Sequence, residues 1–456
     1  MPSSTAIPKH ILSKSTFMRG CQCGKSLWLY KHRRDLMDEV TDAQSAIFIA
    51  GTDIGKLARE IYPGGVDATP PDAYQYQQAV ADTAAFIASG EKIIYEAAFQ
   101  FDGIMVALDI LVQQNDRWYA HEVKNSTKVK APFIQDAAIQ YYAITNSGLP
   151  LEDISIVHLN NGYVKAGNLD VQQLFTKTSV KSEVKELQLF IHGKAAELKA
   201  IASLKEMPSI LHGDHCSKPY TCNFYGYCWK DVVDDPAAVR PENIDKDEIK
   251  SFLTQFTYPL YFMDFETYIL AVPEYDGHWP YRQVPFQYSL HIQNEPDGAL
   301  EHKYFLAENN GDPCFEFVQK LVNDLDRKGS VIVYNQAFEN TRLRELKEDY
   351  PEFAHAIEKV QARIIDLMVP FRKKHIYLPA MGKSYSIKNV LPALVPELNY
   401  TSLVIGNGAD ASNAFYNLKH ETDAIKIIET RQALLDYCGM DTLAMVRILE
   451  KMREIV

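Results

Sequence analysis

Two α/β domains, the second a mixed sheet flanked by helices, are predicted by three observations. The chain has 456 residues, more than one hydrophobic core usually serves. An acidic stretch with two prolines and little apolar periodicity, DVVDDPAAVRPENIDKDEIK (231–250), divides it. On each side of that stretch the hydrophobic pattern runs in the same order: three strands, a helix, a strand and a helix. The domains are expected at 1–235 and 253–456, joined by a linker at 236–252.

In the first domain EKIIYEAAFQFDG, IMVALDILVQQ and RWYAHEVKNS are rich in β-branched and aromatic residues and are separated by Asp-Gly and Asn-Asp turn signals. APFIQDAAIQYYAITNSG switches to helical spacing and ends at a glycine, ISIVHLNNGYV returns to strand, and 171–204 reads as one or two long amphipathic helices. In the second domain YPLYFMDFETYIL, PFQYSLHIQ and LEHKYFLAE are strands, and PCFEFVQKLVNDLDRKG is a helix closed by Gly329. SVIVYNQ is a short buried strand, FENTRLRELKEDYP a helix, and helical periodicity is continuous from Asp423 onward.

A hydrophobic content of 46% with 23% charged residues and no low-complexity tract describes a folded chain rather than a disordered one. The opening MPSSTAIPKHILSKSTF lacks the basic and apolar regions of a signal peptide, and no apolar run nears the roughly 20 residues that span a bilayer. A cytoplasmic protein without a membrane partner is expected. The net charge of −12 excludes a protein that coats nucleic acid by bulk positive charge. It leaves room for a nuclease, whose clustered metal-binding carboxylates are themselves negative. Seven cysteines, an odd number, do not form a disulfide framework.

Asp264 and Glu266 flank Phe265 in YFMDFET, so both acids project from one face of a strand. Such a pair needs cations or protons to offset its repulsion. Tyr437 and Asp441, four apart, share a face of the final helix. NQAFE adds Asn335 and Glu339 at a helix start after the strand VIVYN. Together these elements resemble the DEDD exonucleases of the ribonuclease H-like fold, with Tyr437-x-x-x-Asp441 matching the tyrosine subclass, over about residues 258–453. The resemblance implies that Asp264, Glu266, Glu339 and Asp441 hold two Mg²⁺ or Mn²⁺ ions, that Tyr437 orients the attacking water, and that nucleoside monophosphates leave from a 3′ end. The middle acid of that family is usually Asp. Here it is Glu339, and Asp366 in RIIDLMVPF is a second candidate for the role.

Asp109 lies in VALDILV, and Glu122 and Lys124 share a face of AHEVKNS. This order, followed by a helix with Asp136, Gln140 and Tyr141, resembles the PD-(D/E)XK nucleases of the RecB type, of restriction-endonuclease-like fold. The resemblance implies a catalytic Asp109, Glu122 and Lys124, a second Mg²⁺ or Mn²⁺ site at Asp109 and Glu122, and supporting roles for Gln140 and Tyr141. Where RecB-type nucleases place a metal-binding histidine, GTDIGKLARE has Gly55.

Cys216, Cys222 and Cys228 fall within HCSKPYTCNFYGYCW, and Cys21 and Cys23 lie far upstream. Four thiolates suit zinc or an iron–sulfur cluster, and the spacing leaves both open. One early cysteine followed by three late ones, with the opening LSKSTFMRGCQCGKSLWL, resembles the iron–sulfur nucleases similar to AddB and the Cas4-type adaptation nucleases. This implies a 4Fe–4S cluster on Cys23, Cys216, Cys222 and Cys228, with Cys21 spare and Cys314 and Cys438 in the core. The two-domain combination, including MDFET and PYRQVPFQYSLH, also resembles an uncharacterised bacterial family over nearly the whole chain.

GCQCGKS is one residue short of a phosphate-binding loop and lacks a preceding strand, so no ATPase is expected. His212 and His215 read as exposed loop residues. The leading reading is a 3′-to-5′ exonuclease joined to an iron–sulfur RecB-type nuclease, acting on DNA ahead of RNA. The rivals are a nucleic-acid-binding or scaffold protein with one or both centres inactive, and a cluster-based redox sensor.

Overall fold

The computed structural model describes residues 11–39, 51–72, 75–230, 241–308, 310–325 and 327–456. The chain divides into two compact units, Met1–Val233 with Ala271–Pro280 and Asp234–Leu270 with Tyr281–Val456. Both are mixed sheets flanked by helices. No helix among the described residues is long and apolar enough to cross a membrane.

In the first unit the three expected strands form at Ile93–Phe101, Ile104–Gln114 and Arg117–Lys124, paired antiparallel in sequence order. The strand Leu151–Leu159 then adds parallel to Arg117–Lys124. The helix Ala131–Asn146 connects these two and buries Ala137, Ala138, Ile139 and Ile144 in the core shared with Ile94, Leu108 and Ile156. Asp136 and Gln140, four apart, sit on its buried side. The stretch 171–204 is not simply helical: Phe175–Ser179 is a strand antiparallel to Leu151–Leu159, and the long helix is confined to Gln188–Ser203. Phe175 is buried, Thr176 and Thr178 are half-buried and Lys177 and Ser179 exposed, so this edge strand has one apolar residue and too short an alternation to stand out.

In the second unit the spatial order of strands is Leu300–Leu306, Gln283–Gln293, Leu260–Ile269, Ser330–Val333 and Ile364–Asp366. The first three pair antiparallel and the last two join in parallel. This is the mixed, helix-flanked sheet that the order of elements predicts. One face packs Phe265 and Tyr288 edge-on against Phe317 of the helix Cys314–Asp324. The other buries Phe262 with Ala444, Met445 and Ile448 of the helix Ala424–Ile455. Because side chains alternate along a strand, Asp264 and Glu266 lie on the same face as Phe262 and look toward that final helix.

Two details depart from the sequence reading. Residues read as the end of the linker form the helix Lys246–Leu253, which Asp245 caps by accepting from Glu248 N at 3.1 Å and which buries Ile249 and Phe252. Residues 236–240 lie outside the described part of the chain. Gly329 does not close the preceding helix; its φ of +126° and the 2.1 Å that would separate an added Cβ from Pro259 O show that it lets the strand at Ser330 pass close to Pro259.

Candidate active site

The central strand of the second unit delivers Asp264 and Glu266 into an open pocket that is also lined by Asn335, Glu339, Lys388, Tyr437 and Asp441. Asn335 turns the chain from strand to helix in a left-handed conformation, φ 83°. Its N–H donates to Asp366 Oδ1 at 3.0 Å. The helix Gln336–Asp349 follows and carries Glu339 in its first turn, where the helix dipole favours an anion. Glu339 is 2% exposed and its Oε2 has no hydrogen-bond partner. Asp366 Oδ1 holds the Asn335 and Met368 N–H groups, and Asp366 does not line this pocket, so Glu339 is the acid that joins the other three.

These acids repel. Burial, then Asp441, Glu266 and Glu339, push the Asp264 carboxyl well above the usual range. Burial and Asp441 push Glu266 up to about 8, burial pushes Glu339 up to about 8, and burial pushes Asp441 up to about 6. A carboxylate oxygen from Asp264, another from Glu266 and the Cys438 sulfur lie within 4.8 Å of one another. The Cys438 thiol is itself pushed well up by burial and the acids, so it faces Asp264 Oδ2 at 3.8 Å as a weak S–H donor rather than a thiolate. The donor set is hard oxygen, compensated only in part by Lys388 and partly unpartnered, which fits Mg²⁺ or Mn²⁺.

Because the folded pKa of Glu266 and Glu339 lies above the unfolded value, the metal-free folded state binds more protons between about 4.5 and about 8. Metal-free protein is therefore expected to lose stability as pH rises through that window, and Mn²⁺ to restore it. Thermal melting in EDTA and in Mn²⁺ across the window measures this. A metal-free melting temperature that rises with pH, or a slope unchanged by Glu266→Gln, would contradict it.

Sequence reasoning missed two residues, one lining the pocket and one holding an acid of it. Lys388, on the helix Ile387–Leu394, donates to Gly406 O at 2.6 Å and to the Tyr437 hydroxyl at 3.2 Å. Tyr400 donates its hydroxyl to Asp441 Oδ1 at 2.7 Å. Burial and the neighbouring acids push the Tyr437 hydroxyl up, so it remains a phenol at neutral pH.

In the first unit the sheet and the helix Ala131–Asn146 bring together Asp109, Glu122, Lys124, Asp136 and Gln140, and a residue not anticipated, Lys14. Lys14 and Lys124 reach Glu122 Oε1 at 2.6 and 2.7 Å, and Gln140 Nε2 donates to Oε2 at 2.6 Å. Lys124 also pairs with Asp136. Burial pushes Glu122 up, but Lys124 and Lys14 overcome it and hold this carboxyl well below the usual range. Asp109, by contrast, is pushed well above its ordinary range by burial and by Glu122. Tyr141 packs against the hydrophobic core. Gly55 points into open space, and Arg59 nearby pairs with Glu96 and Asp67 at 3.1 and 2.6 Å.

The cysteines sort into a group and single residues. Burial pushes the Cys23 and Cys228 thiols up; both also feel Cys216 and Cys222, and Cys228 feels Cys23. Cys222 N bonds Cys216 O at 2.8 Å, and Cys222 Sγ lies 3.2 Å from Ser26 Oγ. Cys23, Cys216, Cys222 and Cys228 thus share one neighbourhood, although among the described residues no three of their sulfurs lie within 4.8 Å of one another, and four such soft donors suit an iron–sulfur cluster or zinc. Cys21 lies apart, packed against the core, and Cys314 and Cys438 are buried. His212 packs edge-on against Trp229 at 4.4 Å.

Fold and sites thus define an α/β protein of two units, one with an acid-lined pocket and one with a lysine–carboxylate centre and a cysteine group. Residues 261–386 match a family described as a domain of unknown function, DUF2779. That segment holds Asp264, Glu266, Asn335 and Glu339 and ends before Lys388, Tyr400, Tyr437 and Asp441. Over 218 residues the chain is 28% identical to the uncharacterized protein UU173 of Ureaplasma parvum serovar 3, covering 41% of this chain and 30% of that protein. The chain therefore spans under a third of the length of that relative.

Proposed function

We propose that the chain is a metal-dependent nuclease that trims nucleic acid from the 3′ end and releases nucleoside monophosphates, with DNA as substrate and RNA as the alternative. One observation carries this reading: four carboxyls from three separate segments meet in one open pocket, where burial, joined at Asp264 and Glu266 by neighbouring acids, holds all of them above their ordinary range and Lys388 gives Glu266 and Asp441 only part of the compensating charge. Bound Mg²⁺ or Mn²⁺ would supply that charge and acidify a water for in-line attack on the phosphodiester. Asp264, Glu266, Glu339 and Asp441 hold the ions, and the Tyr437 hydroxyl positions the water. Lys388 donates to that hydroxyl and so directs its own proton elsewhere, while Tyr400 fixes Asp441.

The test is digestion of 5′-labelled DNA and RNA oligonucleotides by purified protein with Mg²⁺ and with Mn²⁺. Progressive shortening from the 3′ end with mononucleotide release is expected, and Lys124→Ala, in the other unit, should leave it intact. No metal-dependent release from either polymer would overturn the reading.

The first unit is proposed as a RecB-type nuclease domain whose Cys23, Cys216, Cys222 and Cys228 hold a 4Fe–4S cluster. Anaerobically purified protein should be brown, and Cys222→Ser should remove the colour. Colourless protein with one stoichiometric zinc would replace the cluster with zinc and keep the four ligands.

A further inference from the structure

We infer that the Lys14 ammonium takes the place of a divalent cation in the first unit, so that the Asp109, Glu122 and Asp136 centre stays closed to metal while Lys14 is in position. The inference rests on the reading of that centre as a RecB-type metal site, and concerns what controls it.

Most of the oxygens such an ion would need are engaged by the protein itself; Asp136 Oδ1, buried without a partner, is the exception. Glu122 Oε1 accepts from Lys14 and Lys124 at 2.6 and 2.7 Å, and Oε2 from Gln140 at 2.6 Å. Asp109 Oδ2 accepts from Val123 N at 2.6 Å. Asp136 Oδ2 accepts from Lys124 and lies 3.5 Å from Lys14. Gly55 has no side chain to offer, and a Cβ there would meet nothing within 4 Å. A divalent ion that wants about six oxygen ligands cannot reach Glu122 without expelling an ammonium.

The pocket of the second unit is the internal contrast. There the nearby ammonium, Lys388, bonds Gly406 O and the Tyr437 hydroxyl rather than a carboxylate. Lys388 acts on Glu266 and Asp441 only from a distance. The centre of the first unit compensates its acids with its own lysines.

Lys14 rather than Lys124 is the group to be displaced. Lys124 stands on a strand between Glu122 and Asp136, with the Phe133 ring 5.6 Å away. Lys14 is the first residue of the helix Lys14–Gln22, its side chain 24% exposed, and it reaches the acids on a flexible stem. Ser13 caps that helix at 3.3 Å, and at its other end Gln22 donates to His215 O and Tyr220 O at 2.8 and 2.7 Å. The helix backbone is thus held by contacts that do not involve the ammonium. A change at Lys14 can remove the charge and leave the helix in place.

The experiment measures Mn²⁺ binding by the EPR signal of free Mn²⁺, on the full chain carrying Asp264→Ala and Asp441→Ala to silence the second pocket. Wild-type Lys14 should show no Glu122-dependent Mn²⁺ at concentrations on the order of 1 mM, the weak end of protein carboxylate sites. Lys14→Met, which keeps the apolar stem, should gain one site at least about tenfold tighter, as expected from removing a cation beside the ligand. Glu122→Gln should then abolish it, and Lys14→Arg, which keeps the charge, should bind no better than wild type. Equal or weaker Mn²⁺ binding by Lys14→Met, or a filled Glu122-dependent site in the wild type, overturns the inference; the second result counts even if Lys14→Met fails to fold. Absence of the site from both proteins removes the metal reading of this centre together with the inference. A wild-type site that Lys14→Met does not tighten removes only the role of Lys14. Mononucleotide release depends on the other unit and stands or falls separately.

Discussion

Asp264→Asn is expected to lower mononucleotide release by roughly 1000-fold or more, at or beyond the upper end of the loss of one preorganised electrostatic contact, and to raise the melting temperature of the metal-free protein. Asp264 is the acid on which the others converge: burial raises its carboxyl first, and Asp441, Glu266 and Glu339 then each raise it further. Asparagine keeps its shape, so packing beside Phe262 and Cys438 should survive, while the carboxyl that burial and the repulsion of Asp441, Glu266 and Glu339 hold above its ordinary range is removed. Function needs that repulsion because it is what a divalent ion relieves, and stability is the property that suffers in its absence. Rate and melting temperature should therefore move in opposite directions. A variant that loses activity and also melts lower would point to a structural role for Asp264. One that trims at the wild-type rate would remove the proposed centre.

How far the sequence reveals all this depends on whether a feature is contained in one element. Asp264 and Glu266, two apart on a strand, and Tyr437 and Asp441, four apart on a helix, are visible because each pair shares a face whatever the tertiary structure does. Long elements with a clear period, such as Leu260–Ile269 and Ala424–Ile455, are visible for the same reason. Lys388 and Tyr400 are not, since they meet Tyr437 and Asp441 across 49 and 41 residues, and nothing local marks them. Lys14 meets Glu122 across 108 residues, and an exposed-looking lysine in LSKS gives no hint of it. The helix Lys246–Leu253 is a different kind of miss. Its start signal, Asp245 followed three residues later by Glu248, is present in the sequence, and the acidic composition around it masked the Ile249 and Phe252 periodicity.

Tyr437→Phe separates positioning from charge in the same pocket. The tyrosine ring is buried, 4% exposed, and lies 5.0 Å from the Lys388 ammonium, so phenylalanine still fills the space and still faces the cation. What it loses is one oxygen, the acceptor for Lys388 and the group that would hold the attacking water. Folding and Mn²⁺ affinity should change little, and the rate should fall by roughly 10- to 1000-fold, the span for one positioning or general-base group. Asp441→Ala, one turn along the same helix, should weaken metal binding as well, because it removes an acid and leaves the Tyr400 hydroxyl without its acceptor. Excess Mn²⁺ should thus recover part of the activity of Asp441→Ala and none of that of Tyr437→Phe. Steady-state rates over a Mn²⁺ titration compare the two directly. Wild-type trimming by Tyr437→Phe would make Tyr437 a packing residue and leave the attacking water without the partner assigned to it.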